Sequence, residues 1–133
     1  MTVDELITRH EASKSKPYTD TVGKITIGIG RNLTDIGLSD DEIHYLFRND
    51  KQRAWDACAI YPWFLGLSTA RQAACIDLAF NLGSLHGFPR FCLAMSQGNW
   101  KDAANELATS KWATQVGKRA TDDINLILTE TWP

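Results

Sequence analysis

The chain has 133 residues, of which 44% are hydrophobic and 23% charged, enough for one domain with a real core and too few for two independent ones. With 14 Lys and Arg against 16 Asp and Glu the net charge is −2, and no basic stripe stands out, which argues against nucleic-acid binding driven by phosphate neutralisation. No apolar run approaches the roughly 20 residues of a membrane-spanning helix, so stable membrane insertion is not expected.

The N-terminus, Met1-Thr2-Val3-Asp4-Glu5, has no basic segment followed by an apolar one, and the expectation is a cytoplasmic protein. Val3, Leu6, Ile7 and His10 then recur at i, i+3, i+4 and i+7, one face of a helix over 3–11. Lys14-Ser15-Lys16-Pro17 breaks that pattern. Tyr18-Thr19-Asp20, a turn over Thr21-Val22-Gly23-Lys24, and Ile25 to Gly30 predict a β-hairpin. Ile25, Ile27 and Ile29 share one face of it. Thr26, Gly28 and Gly30 share the other, where the glycines leave the backbone open to a ligand.

Ser39-Asp40-Asp41-Glu42 is a capping box. It opens a helix with Ile43, Leu46, Phe47, Asp50 and Ala54 on one face, ended by Pro62. Residues 69–82 are the most apolar segment and predict a central buried helix stopped by Gly83. Shorter helices are expected at about 89–96, 99–109 and 117–129, punctuated by Gly98 and Gly117. The fold class is therefore α+β in a single domain, 1–133. A small hairpin lobe (about 14–38) and a larger, mostly helical lobe (1–13 and 39–133) are expected, with an active-site cleft between them.

Cys58, Cys75 and Cys92 lie in apolar surroundings with no C-x-x-C spacing, the pattern of small buried hydrophobes rather than of a disulfide framework or metal site. His10, His44 and His86 lack metal-ligand spacing and have no serine-aspartate partners, so neither a metal, another cofactor nor a nucleophilic triad is assigned. Most of the tryptophans, at 55, 63, 100, 112 and 132, have spacings that suit packing.

The chemistry is concentrated between residues 11 and 30. Two carboxylates, Glu11 and Asp20, and the Thr26 hydroxyl are the parts needed to break a glycosidic bond: one carboxyl protonates the leaving oxygen, the other activates water or attacks the sugar. Glu11, at a helix end beside apolar residues, is a candidate for partial desolvation, which favours the protonated acid. Taken singly, Glu11 is also an ordinary solvated glutamate, Asp20 an Asx-turn residue, and Thr26 a β-former.

The combination is more specific. Glu11, Tyr18, Asp20, Gly23 and Thr26-Ile27-Gly28-Ile29-Gly30 resemble, spacing for spacing, the signature of the phage-type lysozymes of the T-even phage family. The resemblance continues through Arg71-Gln72-Ala73-Ala74, Phe80-Asn81-Leu82-Gly83, Trp100-Lys101-Asp102-Ala103-Ala104, Ser110-Lys111-Trp112, Lys118-Arg119-Ala120 and Thr131-Trp132, over essentially the whole chain.

It implies a monomeric peptidoglycan hydrolase of the β-1,4 bond between N-acetylmuramic acid and N-acetylglucosamine, in the family's case an endolysin waiting in the host cytoplasm. By the same resemblance Glu11 is the general acid, Asp20 the second carboxylate, and Thr26 a holder of the attacking water. Arg119 matches an arginine near the glutamate, although a surface helix charge accounts for it equally well. Asn32, Phe80, Phe91 and Glu106 stand at sugar-contacting positions, of which only Phe80 keeps the family's residue type.

Ala12 stands where the family usually has glycine, and Arg31 where it has histidine. The short stretch before Ser39 implies no further strand in the small lobe and a more open cleft. An inverting route needs carboxyls roughly 6.5–9.5 Å apart and a retaining one roughly 5–5.5 Å, and sequence leaves both open. The rivals are a lytic transglycosylase, which needs no second carboxylate, and a wall-binding module of the same fold without activity.

Overall fold

In the computed structural model, which describes all 133 residues, the chain forms an α+β fold of seven helices and one antiparallel sheet of order β1-β2-β3. Two compact units divide it, Met1–Leu46 and Phe47–Pro133. Residues 1–13, expected with the helices, group instead with the sheet.

In the first unit, α1 (Val3–Glu11) is started by a reciprocal cap: Glu5 N donates to Thr2 Oγ1 at 3.1 Å, and Thr2 N to Glu5 Oε2 at 2.7 Å. Its apolar positions Val3, Leu6 and Ile7 stay exposed. Strand β1 (Lys14–Thr19) begins four residues before Tyr18. Pro17 does not interrupt it, because β1 is an edge strand and needs no ladder N–H on its free side. β2 (Ile25–Gly28) lies at the centre of the sheet.

β3 (Arg31–Asn32) is a third strand that sequence reading did not anticipate. Thr26 pairs with Asn32 and Ile27 with Arg31. Thr26 is the one buried residue of this unit, while Ile25 and Ile29 are each 51% exposed, so the polar edge of the strand is the inward one.

Helix α2 (Asp40–Ala59) opens on the predicted capping box, with Ser39 N donating to Glu42 Oε1 at 2.9 Å and Glu42 N to Ser39 Oγ at 3.3 Å. Arg31 Nη1 lies 2.6 Å from the Glu42 carboxylate and 3.3 Å from the Gly37 carbonyl, tying β3 to the start of the helix. That hydrogen bond from Arg31, with those from Ser39, holds the Glu42 carboxyl down at about 2.

In the second unit, α2 ends three residues before Pro62. Helix α3 (Thr69–Leu82) has its predicted bounds: Ser68 Oγ accepts the Arg71 N–H, and Gly83 closes the helix at φ +88°. Around it pack α4 (Pro89–Ser96), α5 (Trp100–Ala108), α6 (Lys111–Val116) and α7 (Lys118–Thr129). The core holds Phe64, Leu78, Leu85, Phe91, Met95, Leu107 and Ile127, all at most 1% exposed, each worth about 1.5–3 kcal/mol of burial.

Arg71 is a tie between three helices. Its guanidinium stacks 3.9 Å from the Trp100 ring centroid, Nε donates to the Ile127 carbonyl at 2.8 Å, and Nη1 lies 3.5 Å from Glu130. Trp112, buried as expected, donates its indole N–H to Asn81 at 2.8 Å. Cys58, Cys75 and Cys92 are buried free thiols, and burial pushes all three thiol pKa values up. No helix is long and apolar enough to cross a membrane.

Candidate active site

Asp20 and Thr26 meet at the backbone of Lys24. The β1–β2 register sets Tyr18 opposite Thr26 and Thr19 opposite Ile25, which leaves Asp20 to start the turn. Asp20 N donates to the Lys24 carbonyl at 2.8 Å, and Thr26 Oγ1 donates to the same carbonyl at 3.2 Å. In return the Asp20 Oδ1 accepts the amides of Lys24 at 2.8 Å and Val22 at 3.0 Å.

Asp20 is thus an Asx-turn residue and a chemically available carboxylate at once. Oδ1 is committed to the turn, and Oδ2 has no donor from this chain. Gly23, at φ +85°, closes the turn with its N–H on the Asp20 carbonyl at 3.1 Å. Because the buried Thr26 hydroxyl gives its proton to Lys24, its remaining capacity is as an acceptor.

Glu11 is the last residue of α1 and is exposed, so the partial desolvation expected from its apolar neighbours is absent. The carboxyl has no hydrogen-bond or ion-pair partner. It lies against Gly30: a Cβ built there would sit 2.7 Å from Glu11 Cδ and Oε2. Directly after it, Ala12 adopts φ 60°, ψ 179°, a region nearly confined to glycine, with a strain of about 1–3 kcal/mol.

The sheet register spaces these groups. Gly28 and Gly30 form the turn between β2 and β3, at the end of the sheet away from the Asp20 turn. Thr26 to Gly28 is two strand residues, about 7 Å. A Cβ at Gly28 would meet nothing within 4 Å, so a bare backbone floor runs from Thr26 towards the glutamate. A hollow of about 490 Å³ lies beside the turn, lined by Ile27 to Asn32 together with Ile36, Leu38 and Glu42 and by none of Glu11, Asp20 and Thr26.

Of the sugar-contacting candidates, Asn32 lines that hollow and locks the following loop: its Oδ1 accepts the Asp35 N–H at 2.9 Å and its Nδ2 donates to Asp35 Oδ2 at 3.0 Å. Phe80 is 40% exposed in the second unit, tilted against Phe47 with ring centroids 6.0 Å apart. Glu106 is half-buried on α5. Phe91 is corrected outright. It is fully buried, edge-on to Phe88 in the core, and no sugar can reach it.

Arg119 is engaged by Asp77, with Nε on Oδ2 and Nη2 on Oδ1, both at 2.8 Å. This fork-to-fork pair borders a groove of the second unit of about 590 Å³, whose walls include Phe47, Ile76, Phe80 and Leu126. In the same wall Asp123 is 2% exposed, and its Oδ2 is buried with no donor. Burial first, and the charge of Asp77 second, push the Asp123 carboxyl up to about 8. The groove contains none of Glu11, Asp20 and Thr26, so size alone does not locate the chemistry.

Three features were not found in sequence. The Lys24 role is carried by its backbone, which no residue-type pattern reports. Gly30 was read as facing a ligand, whereas it faces Glu11. Asp123 follows the exposed-looking pair Thr121-Asp122, and only its place on the inward stripe of α7, with Ala120, Leu126 and Ile127, could have flagged it.

Residues 8–124 match the family model described as phage lysozyme. The chain is also similar to "Probable T4-type lysozyme 2" of Dictyostelium discoideum, at 26% identity over 96% of this chain and 94% of that protein. It is 24% identical to "Probable T4-type lysozyme 1" of the same organism, over 97% of this chain and 95% of that protein.

Proposed function

Because the chain belongs to the phage lysozyme family, we propose that it is a peptidoglycan muramidase that hydrolyses the β-1,4 bond between N-acetylmuramic acid and N-acetylglucosamine by direct attack of water. The observation that carries the proposal is the Lys24 backbone, whose N–H occupies Asp20 Oδ1 and whose carbonyl takes the Thr26 hydroxyl proton, leaving Asp20 Oδ2 and Thr26 Oγ1 as acceptors. A water held by both has its two protons directed at Asp20 and Thr26 and a lone pair left for the sugar. Glu11, in its protonated form, donates to the leaving glycosidic oxygen. As the carbon–oxygen bond breaks and the water oxygen bonds to the anomeric carbon, Asp20 takes the proton the water loses. Glu11 ends ionised and Asp20 protonated, and exchange with solvent resets both.

Asp20 acts as base rather than nucleophile in this scheme. Its Oδ1 is fixed by two amides, and the family resemblance assigns Thr26 to the water. The substrate is the wall polysaccharide, and dissolution of a bacterial host's wall is the setting we propose for it.

Mass spectrometry of products from purified peptidoglycan tests this, with wild type and Glu11→Gln in parallel. Reducing muropeptides from wild type alone are expected. Anhydro products would mean a transglycosylase, and wall retention without fragments a binding module.

A further inference from the structure

We propose that Gly30 is a positioning residue for Glu11: its missing side chain leaves the seat in which the Glu11 carboxyl rests, and that seat sets where the acid's oxygens point. The catalytic part of this inference rests on the muramidase reading above.

Gly30 differs from every other glycine in the chain. A Cβ there would come within 2.7 Å of Glu11 Cδ and Oε2 and 2.9 Å of Cγ, whereas at the other eight glycines it meets nothing closer than 3.7 Å. Several of them, Gly23, Gly28 and Gly37 included, share a positive φ, and that alone accounts for glycine at those positions. At Gly30 the positive φ of +74° and the collision coincide. The close approach is specific to one side chain, since all three atoms nearest the built Cβ belong to Glu11.

Nothing else holds the carboxyl. Glu11 makes no hydrogen bond or ion pair, and the backbone that follows it is fixed by the φ 60°, ψ 179° of Ala12 and by its N–H on the Thr8 carbonyl at 2.8 Å. The helix end therefore delivers the Glu11 Cα to the β2–β3 turn, and the bare Gly30 backbone decides which rotamer fits there. A methyl at residue 30 does not need to break the fold, because the atoms it meets are the far end of a flexible side chain. It turns the carboxyl out of its seat instead, and general-acid catalysis depends on that placement.

Gly30→Ala is compared with Gly37→Ala, which has the same positive-φ strain (+67°) and an unobstructed Cβ. Two readouts are taken at temperatures where both variants are folded: turnover on purified peptidoglycan, and carboxyl carbon NMR of ¹³C-labelled glutamate. The chain has five glutamates, at 5, 11, 42, 106 and 130, and Glu11→Gln assigns the signal. Gly30→Ala is expected to lower kcat by about 100-fold with KM within about threefold, and to move the Glu11 resonance while the other four stay. Gly37→Ala is expected to leave the Glu11 signal in place and keep activity in proportion to its folded fraction.

A Glu11 signal unmoved in Gly30→Ala, or a kcat within about threefold of wild type, overturns the inference. A wild-type chain that releases no muropeptides overturns the muramidase reading, and the NMR arm still decides whether Gly30 seats Glu11.

Discussion

Replacing Asp123 by Asn should stabilise the helical unit, and the gain should depend on pH in a way that identifies its cause. Asp123 lies on α7 against α3. Facing it are Asp77 and Cys75 from α3, and Arg119 and Asp122 from its own helix. Its carboxyl is pushed from an ordinary 3.8 up to about 8. The folded state therefore keeps a proton that the unfolded chain releases above about pH 4. A raised folded pKa contributes stability that is fully present below pH 4 and lost progressively as the pH rises through about 8.

At pH 7 the interval is about three pH units at roughly 1.4 kcal/mol each, a ceiling of about 4 kcal/mol. Relaxation and water penetration relieve part of the burial penalty, so the expected gain is about half of that ceiling, ~2 kcal/mol. Asn has nearly the same shape and titrates nowhere. Its amide also replaces the unpaired acceptor Oδ2 with an N–H donor that can face the Asp77 carboxylate. The assay is thermal melting by circular dichroism of wild type and Asp123→Asn from pH 4 to 8. The expected Tm gap is near zero at pH 4 and opens to roughly 5–10 °C at pH 8. Equal melting temperatures at pH 8, or a gap that stays constant across the range, would refute the reasoning.

The other predictions concern stability at single positions. Ala12→Gly should raise stability by about 1 kcal/mol, as relief of a strain near 1–3 kcal/mol outweighs the added freedom of glycine in the unfolded chain; urea denaturation reads it, and a loss would mean the φ 60° backbone is unstrained. Arg71→Ala should cost about 2–3 kcal/mol from the lost stacking on Trp100 and the lost hydrogen bond to the Ile127 carbonyl; a midpoint unchanged from wild type in the same assay would show the tie to be idle. Glu42→Gln should flatten the acid limb. A carboxyl lowered from 4.5 to about 2 contributes stability above its ordinary value that disappears as the pH falls through 2, so the variant should lose less Tm than wild type between those values.

How far the sequence could be read varies by element. Helix α3 was legible to the residue, because Gly83 is a local stop signal and the segment before it is the most apolar of the chain. Helix α6 was not, since six residues after Ser110 carry too few turns for a periodic pattern to emerge. Lys14 to Pro17 ended the helical pattern as read, but the strand starts at Lys14 rather than Tyr18, because an edge strand accepts Pro17 and pairing partners are not local information. The isoleucine alternation in β2 was correct as a pattern. Which face turned inward was set by the Lys24 carbonyl collecting the Thr26 hydroxyl, a contact invisible in composition.

The site divides in the same way. Glu11, Asp20 and Thr26 were singled out by resemblance, while the contacts made to them, by the Lys24 backbone and at the bare Gly30, leave no residue-type signature. Phe91 went wrong because an aromatic at a family's contact position still needs exposure, and burial is settled by the whole core.

The three thiols of the helical unit carry a built-in clock. Cys58, Cys75 and Cys92 are all at most 9% exposed, and burial keeps them protonated at neutral pH. An alkylating reagent meets a reactive thiolate only after the helices part. Labelling kinetics in native buffer therefore measure how often this unit opens, with no introduced probe. The mass of the product, one, two or three adducts, separates a local parting of helices from opening of the whole core.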